Sequence, residues 1–256
     1  MAVSWVGPAP WWRVGELANS LKHLEGDPDF QRRRAEQEAA SAARVRDNAP
    51  DFALVRDALE SAGIASADFG RFTSGRQPDV IRPSVFDYRA AVPVLLEVLP
   101  RVKHPDVKQT VVRSLTTSYA RPAAAEALIA EFRSTSVAKH EALKWAIGNA
   151  LDIVTTPQHL DTLLVLILDQ SHGKGRQMIV DRVGRISGDA RVVETLTQLT
   201  TDEDVAFHAM AGLRRRLGPR TAADLIRPLT RHESGRIRDA AHRPLKLAER
   251  SQRGRG

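Results

Sequence analysis

The sequence predicts an all-α chain: a right-handed α-α superhelix of about five helix pairs over residues 85–250, preceded by two or three N-terminal helices. Three observations carry this expectation. Leu95, Leu128, Leu163, Leu196 and Leu225 stand at equivalent places in similar apolar segments, spaced by 33, 35, 33 and 29 residues. A period in the thirties marks stacked helix pairs, because a pair cannot bury its apolar side alone. Each segment is followed by a second amphipathic helix, and no stretch alternates apolar and polar residues as a half-buried strand would. Aromatic residues make up only 5% of the chain against 42% hydrophobic, so the core is filled by Ala, Leu, Val and Ile, which suits helix-on-helix packing.

The first 84 residues differ from the repeats. Trp5, Trp11 and Trp12 lie in a start punctuated by Pro and Gly, and a short amphipathic segment, VGELANSLKHLE, comes next. QRRRAEQEAASAARVRD reads as a polar helix with Asp27 or Asp29 as N-cap. DFALVRDALESAG reads as another, ending at Gly63, where glycine permits a left-handed stop. TSGRQPDVIRPS, residues 73–84, carries two prolines and a glycine and is the linker. The tryptophans are expected to staple these helices to the end of the superhelix, since clustered large apolar groups rarely stay exposed. A partner anchor is the other use for them.

Between residues 85 and 250 the first helices are VPVLLEVL, AEALIAEF, LDTLLVLI, VETLTQLT and ADLIRPLT. The second helices are DVKQTVVRSL, VAKHEALKWAIGNAL, GRQMIVDRVGRI, DVAFHAMAGLRRRL and GRIRDAAHRPLKLA. Breaks such as ARP, TTPQ, SGDA and LGPR separate them, and Asp106, Ser136 and Asp204 stand where N-caps are wanted. Residues 251–256, SQRGRG, are expected to form a flexible basic tail.

The Asp-Val pairs Asp106-Val107 and Asp204-Val205, followed by small and apolar residues, resemble the HEAT repeats of the phycobilisome-lyase type over roughly residues 88–250. LKWAIGNAL and SHGKGRQMIV are also similar to bacterial HEAT-repeat proteins with no assigned activity. The third unit departs from the pattern, with Gly173 and Gly175 in place of Asp-Val. The resemblance implies scaffolding, adaptor or nucleic-acid roles, and only exceptional members are enzymes.

Several chemistries are excluded or weakened by composition. With no cysteine, disulfides, Cys-bound zinc and thiol catalysis are absent together. No apolar run reaches the roughly 18 residues a bilayer demands, and the first residues lack a basic n-region and a continuous apolar h-region. The expectation is a soluble, cytoplasmic protein without a membrane partner. His140-Glu141 opens like H-E-x-x-H, but Lys144 occupies the place of the second ligand. SHGKGRQ lacks the P-loop pattern and reads as a tight turn. Asp202, Glu203 and Asp204 read as first-turn acids offsetting a helix dipole. No G-x-S-x-G elbow is present, and no metal or cofactor is implied.

What remains is surface. In residues 137–151, Leu143, Ala146, Ile147 and Ala150 form an apolar stripe, with Glu141, Trp145, Gly148 and Asp152 opposite. The net charge is +7, with 31 Arg and 7 Lys, a ratio GC-rich codon usage can produce. The second-helix stretches carry +7 in total and the first-helix stretches −1, placing the basic excess on the concave side of a solenoid.

Opposite the apolar stripes the second helices carry Thr110 and Arg113; Glu141 and Trp145; Gln177, Asp181 and Arg185; His208 and Arg215; and Asp239, His242 and Lys246. Carboxylates along this strip disfavour a duplex track, because each repels phosphate. A mixed-sign strip around an aromatic fits a protein or peptide partner instead. Glu141–Lys144 and Asp181–Arg185 also have the spacing of intrahelical pairs on a solvated face.

The leading expectation is therefore a non-enzymatic module holding a protein or peptide at Arg113, Glu141, Trp145, Gln177, Asp181, Arg185, His208, Arg215, His242 and Lys246. The alternative is nucleic-acid binding through Lys139, Lys144, Lys174, Arg176, Arg182, Arg185, Arg214, Arg215, Arg216 and the basic tail. A third reading takes the resemblance to the HEAT-like alkylpurine glycosylases, with Trp145 as the aromatic and Glu141 or Asp181 as the carboxylate attending a lesion.

Overall fold

The computed structural model describes residues 27–66, 69, 87–186 and 188–253, with side chains through Lys246. Among them there are ten α-helices and no strand, and no helix is long and apolar enough to cross a membrane. The chain divides into two compact units, Met1–Pro50 and Asp51–Gly256. The tryptophans at 5, 11 and 12, the segment 14–25, the linker 73–84 and the end of the tail lie outside the described residues.

The described part of the first unit belongs to α1 (Pro28–Ser61). Asp27 caps it, its carboxylate accepting from the Asp29 amide at 2.8 Å. The side chains up to Pro50 stay largely in solvent, and Arg32–Asp29 and Arg34–Glu38 pair along the surface. The sequence expects two helices here, over 31–47 and 51–63. One helix runs through both, with Pro50 inside it. A proline removes one amide from the ladder, and the helix continues past that gap.

In the second unit the last turns of α1 enter the core through Val55 and Leu59, and the chain stops at Gly63 with φ 73°. The Asp51 carboxylate accepts the amides of Lys103 and His104 at 2.7 and 2.6 Å, fastening this end to a distant turn. The later helices are α2 (Tyr88–Val98), α3 (Pro105–Leu115), α4 (Ala125–Ser134), α5 (Val137–Val154), α6 (Leu160–Leu168), α7 (Gln177–Val183), α8 (Ala190–Gln198), α9 (Ala206–Ile226) and α10 (Gly235–Arg253). Each even-numbered helix from α2 to α8 packs on the odd one after it, and α3, α5, α7 and α9 also pack on one another in succession. α9 breaks at Gly218, where φ is +79° ahead of Pro219. Its two halves supply the second helix of one pair and the first helix of the next.

Leu95, Leu128, Leu163 and Leu196 are fully buried, each removal from water contributing about 1.5–3 kcal/mol. Leu225 does not follow them. It is 42% exposed and Ile226 takes the core position. One residue is about 100° of helix rotation, and the Gly218–Pro219 break resets the phase of the last first-helix. Two of the expected caps also move. His104, not Asp106, caps α3, through Nδ1 to the Asp106 amide. Asp202, not Asp204, accepts the amide ahead of α9, at 3.1 Å. Ser136 stands at the N-cap of α5 without a side-chain bond.

Two glycine pairs set how closely neighbouring elements approach. A Cβ on Gly148 of α5 would lie 2.1 Å from the Gly175 carbonyl oxygen. A Cβ on Gly184 would lie 2.9 Å from the Gly212 Cα. Only glycine fits where backbone meets backbone at this distance.

Candidate partner-binding site

Trp145 is where the odd-numbered helices open to solvent. The stripe of Leu143, Ala146, Ile147 and Ala150 is buried, which turns the opposite edge of α5 outward and leaves Trp145 42% exposed. Two depressions flank the indole. The larger, about 620 Å³, is floored by Thr116, Thr117, Ala146 and Asn149. The smaller, about 290 Å³, is lined by Gln109, Glu141, Lys174 and Gln177. Arg113 and Trp145 line both and form the wall between them. Gln177 is steadied by its amide, which donates to the Asp204 carbonyl at 2.9 Å. Arg113, Glu141 and Lys174 are exposed, and none of the three has an ion-pair partner among the described residues. A large amphipathic ring beside unpaired charges is the composition of an energetic anchor at an interface.

Further along the strip the charges are engaged with each other. Asp152, buried in the last turn of α5, pairs with Arg185. Arg185 also pairs with Asp181 at 2.9 Å, and Asp181 with Arg215 of α9 at 3.2 Å. A ladder thus links α5, α7 with the turn after it, and α9. Two more arginines close the C-terminus of α5. Arg182 donates to the Thr155 carbonyl at 2.6 Å and Arg121 to the Ile153 carbonyl at 2.7 Å, where cations offset the negative end of the helix dipole. Burial, followed by the charges of Arg215 and Arg121, lowers the pKa of Arg185. Burial, followed by Arg121, does the same for Arg182.

Two cations assigned to a phosphate-binding surface are interior. Lys144 is 1% exposed. Its ammonium donates to the Thr135 carbonyl at 3.0 Å and to the Phe132 carbonyl, and sits 4.0 Å from the Phe132 ring centroid. Burial lowers its pKa to about 8, with Asp169 opposing. The expected Glu141–Lys144 pair does not form, because the lysine turns inward to the carbonyls that end α4. Arg176 is also 1% exposed. It donates to the Ile167 and Gly173 carbonyls at 3.0 and 2.9 Å and to both Asp202 oxygens at 2.8 and 3.2 Å. Arg238 of α10 repeats the device, donating to the carbonyls of His232 and Glu233, both at 2.8 Å. In three places, then, a cation in α5, at the N-cap of α7 or in α10 satisfies carbonyls of the helix or turn before it.

The remaining expected positions divide in the same way. Thr110 is buried, its hydroxyl donating to the Asp106 carbonyl. His208 is half-buried with its ring edge-on to Phe207 at 5.5 Å. Burial lowers its pKa while Asp181 opposes. His242, Lys246, Lys139 and Arg214 are exposed, and Arg216 is half-buried. Gly148 and Asp152, expected to face outward beside Trp145, are buried against the next helix pair. For a glycosylase-like pairing, Asp181 is already held by two guanidiniums, and Glu141 is the only one of the two carboxylates sharing a depression with Trp145. Among the described residues no group of three His, Asp or Glu is assembled to hold a metal.

The capping cations and the glycine contacts are what sequence reading missed. The signal present was Lys144-x-x-x-Gly148 on one helix edge facing Gly173-Lys174-Gly175-Arg176, a combination that makes sense only as a close approach. Comparison of the chain with protein-family models, with curated proteins and with solved structures finds no match.

Proposed function

We propose that the chain is a non-enzymatic interaction module built as a HEAT-like α-solenoid. It grips a protein or peptide segment on the row of second helices, at the wall formed by Arg113 and Trp145. The observation that carries this reading is the placement of a 42% exposed indole between two depressions. Its flanking charges have no ion-pair partner among the described residues, while Asp152, Asp181, Arg185 and Arg215 pair with one another. The succession of packed odd-numbered helices supports the solenoid, since each pair touches mainly its neighbours.

A nucleic-acid groove is the weaker reading. Of the cations it needs, Lys144 and Arg176 are interior and Arg182, Arg185 and Arg215 already hold carbonyls or carboxylates. Among the described residues, exposed Lys139, Lys174 and Arg214 and half-buried Arg216 are left, a short set against the roughly six to ten phosphate contacts of a typical groove.

The test is selection of a displayed random-peptide library on the whole protein, with Trp145→Ala as the counter-target. Sequences that bind the native protein and lose binding to Trp145→Ala support the site. Enriched sequences that bind both proteins equally place the interaction elsewhere and remove it.

A further inference from the structure

The wall between the two depressions has a chemical preference written into it. Arg113 lines both spaces, and Lys174 lines the smaller one. Both are exposed, and neither has a carboxylate partner among the described residues. A guanidinium that lines the same depressions as an aromatic ring and lacks a carboxylate is matched by a planar carboxylate, which it takes in bidentate fashion. The larger space has Arg113 as its one charged lining residue; Tyr88, Thr116, Thr117, Trp145, Ala146 and Asn149 line the rest. One carboxylate, Glu141, stands in the smaller space with Lys174, so acceptable negative charge is confined to particular spots. A uniformly charged phosphate backbone crossing the wall meets Glu141. A peptide can set its carboxylates at Arg113 and Lys174 and keep neutral residues beside Glu141.

We infer that the occupant is an acidic segment of a protein. It lies across the Arg113–Trp145 wall with one carboxylate on Arg113, an apolar side chain in the larger depression against Trp145, and a second carboxylate toward Lys174. This rests on the reading of the strip as a peptide site and adds the class of peptide. Charge complementarity is what selects it: at the two depressions the groups without ion-pair partners among the described residues are two cations, Arg113 and Lys174, against one anion, Glu141.

The experiment is fluorescence anisotropy on the whole protein with four short labelled probes. These are a peptide of Glu, Leu and Ser, its counterparts with Gln or with Lys in place of Glu, and an oligothymidylate of similar length. The acidic peptide is expected to bind at least about tenfold more tightly than the Gln form, the scale of complementary charges across an interface. Arg113→Glu should erase that preference, Lys174→Glu should reduce it by roughly threefold, and Trp145→Ala should weaken acidic and neutral peptides together. Thermal melting of each variant confirms that it is folded, since all three side chains are exposed.

Equal or tighter binding of the Gln or Lys peptide, still lost in Trp145→Ala, overturns the acidic class and leaves the peptide site standing. Tighter binding of the oligothymidylate, with loss in Arg113→Glu, overturns the class in favour of nucleic acid. No binding of any probe at about 1 mM, the weak end of specific association, also overturns it. The library selection then decides the site separately.

Discussion

Two stretches of the same strip look alike in sequence and differ in what their charges do. Around Asp152, Asp181, Arg185 and Arg215, four charged groups on α5, α7, the turn after α7 and α9 bind one another. Around Arg113, Glu141, Trp145 and Lys174, the charges lie exposed beside two depressions without ion-pair partners among the described residues. Both stretches mix signs, and both sit opposite apolar stripes. The difference teaches that net charge on a surface is not charge available to a ligand. The second helices carry the basic excess of the chain, yet much of it closes helix ends and bridges neighbours. A binding surface is what remains after those demands are met.

The comparison breaks hardest at the interior cations. Arg176→Met should destabilise the protein by about 3–5 kcal/mol, because it leaves Asp202 mostly buried without its bidentate partner. Asp202→Asn should act in the same direction. Gly148→Ala should cost about 1–3 kcal/mol or more, since its Cβ would press on the Gly175 carbonyl and backbone must move. Urea unfolding measures all three. If Arg176→Met unfolds at the native midpoint, the latch between α7 and the turn before α9 is not a structural element.

Lys144 sharpens the comparison through pH. Its folded pKa of about 8 lies below the ordinary 10.5, so between those values the unfolded chain binds more protons than the folded one. Stability from this group therefore rises with pH across that window, by an amount on the order of 1–3 kcal/mol. In Lys144→Met the slope over the window should flatten, because methionine keeps the volume and removes the titration. A variant with the native slope would show that Lys144 keeps its proton on both sides of the transition.

How much was legible follows the same division. The all-helical class and four of the five core leucines came from periodicity, because burial repeats with the helix and the pair. Leu225 failed because a Gly218–Pro219 break shifts phase by one residue, which spacing alone does not register. The outward placement of Trp145 came from its wheel position. The fates of Lys144 and Arg176 did not, because a wheel shows direction within one helix and these side chains answer to carbonyls of the helix before. Glu141–Lys144 and Asp181–Arg185 had equally good intrahelical spacing, and only the second pair forms. Carbonyls at helix ends compete for cations, and the sequence does not show where those ends lie in space.

The smallest expected effects separate ladder from wall. Arg215→Ala removes one rung, a half-exposed pair 3.2 Å from Asp181, and should cost less than about 1 kcal/mol, the range of surface ion pairs. Arg113→Ala removes a side chain with no ion-pair partner among the described residues and should change stability by less than about 0.5 kcal/mol. The informative quantity is the coupling of each to its neighbour. Arg215→Ala with Asp181→Asn should be less destabilising than the sum of the two, since the second change removes a bond already broken. Arg113→Ala with Lys174→Ala should add within error in unfolding experiments and yet be non-additive in peptide binding, because the two cations meet only through a ligand. Coupling between Arg113 and Lys174 in the free protein would mean that the wall, like the ladder, is spent on the fold.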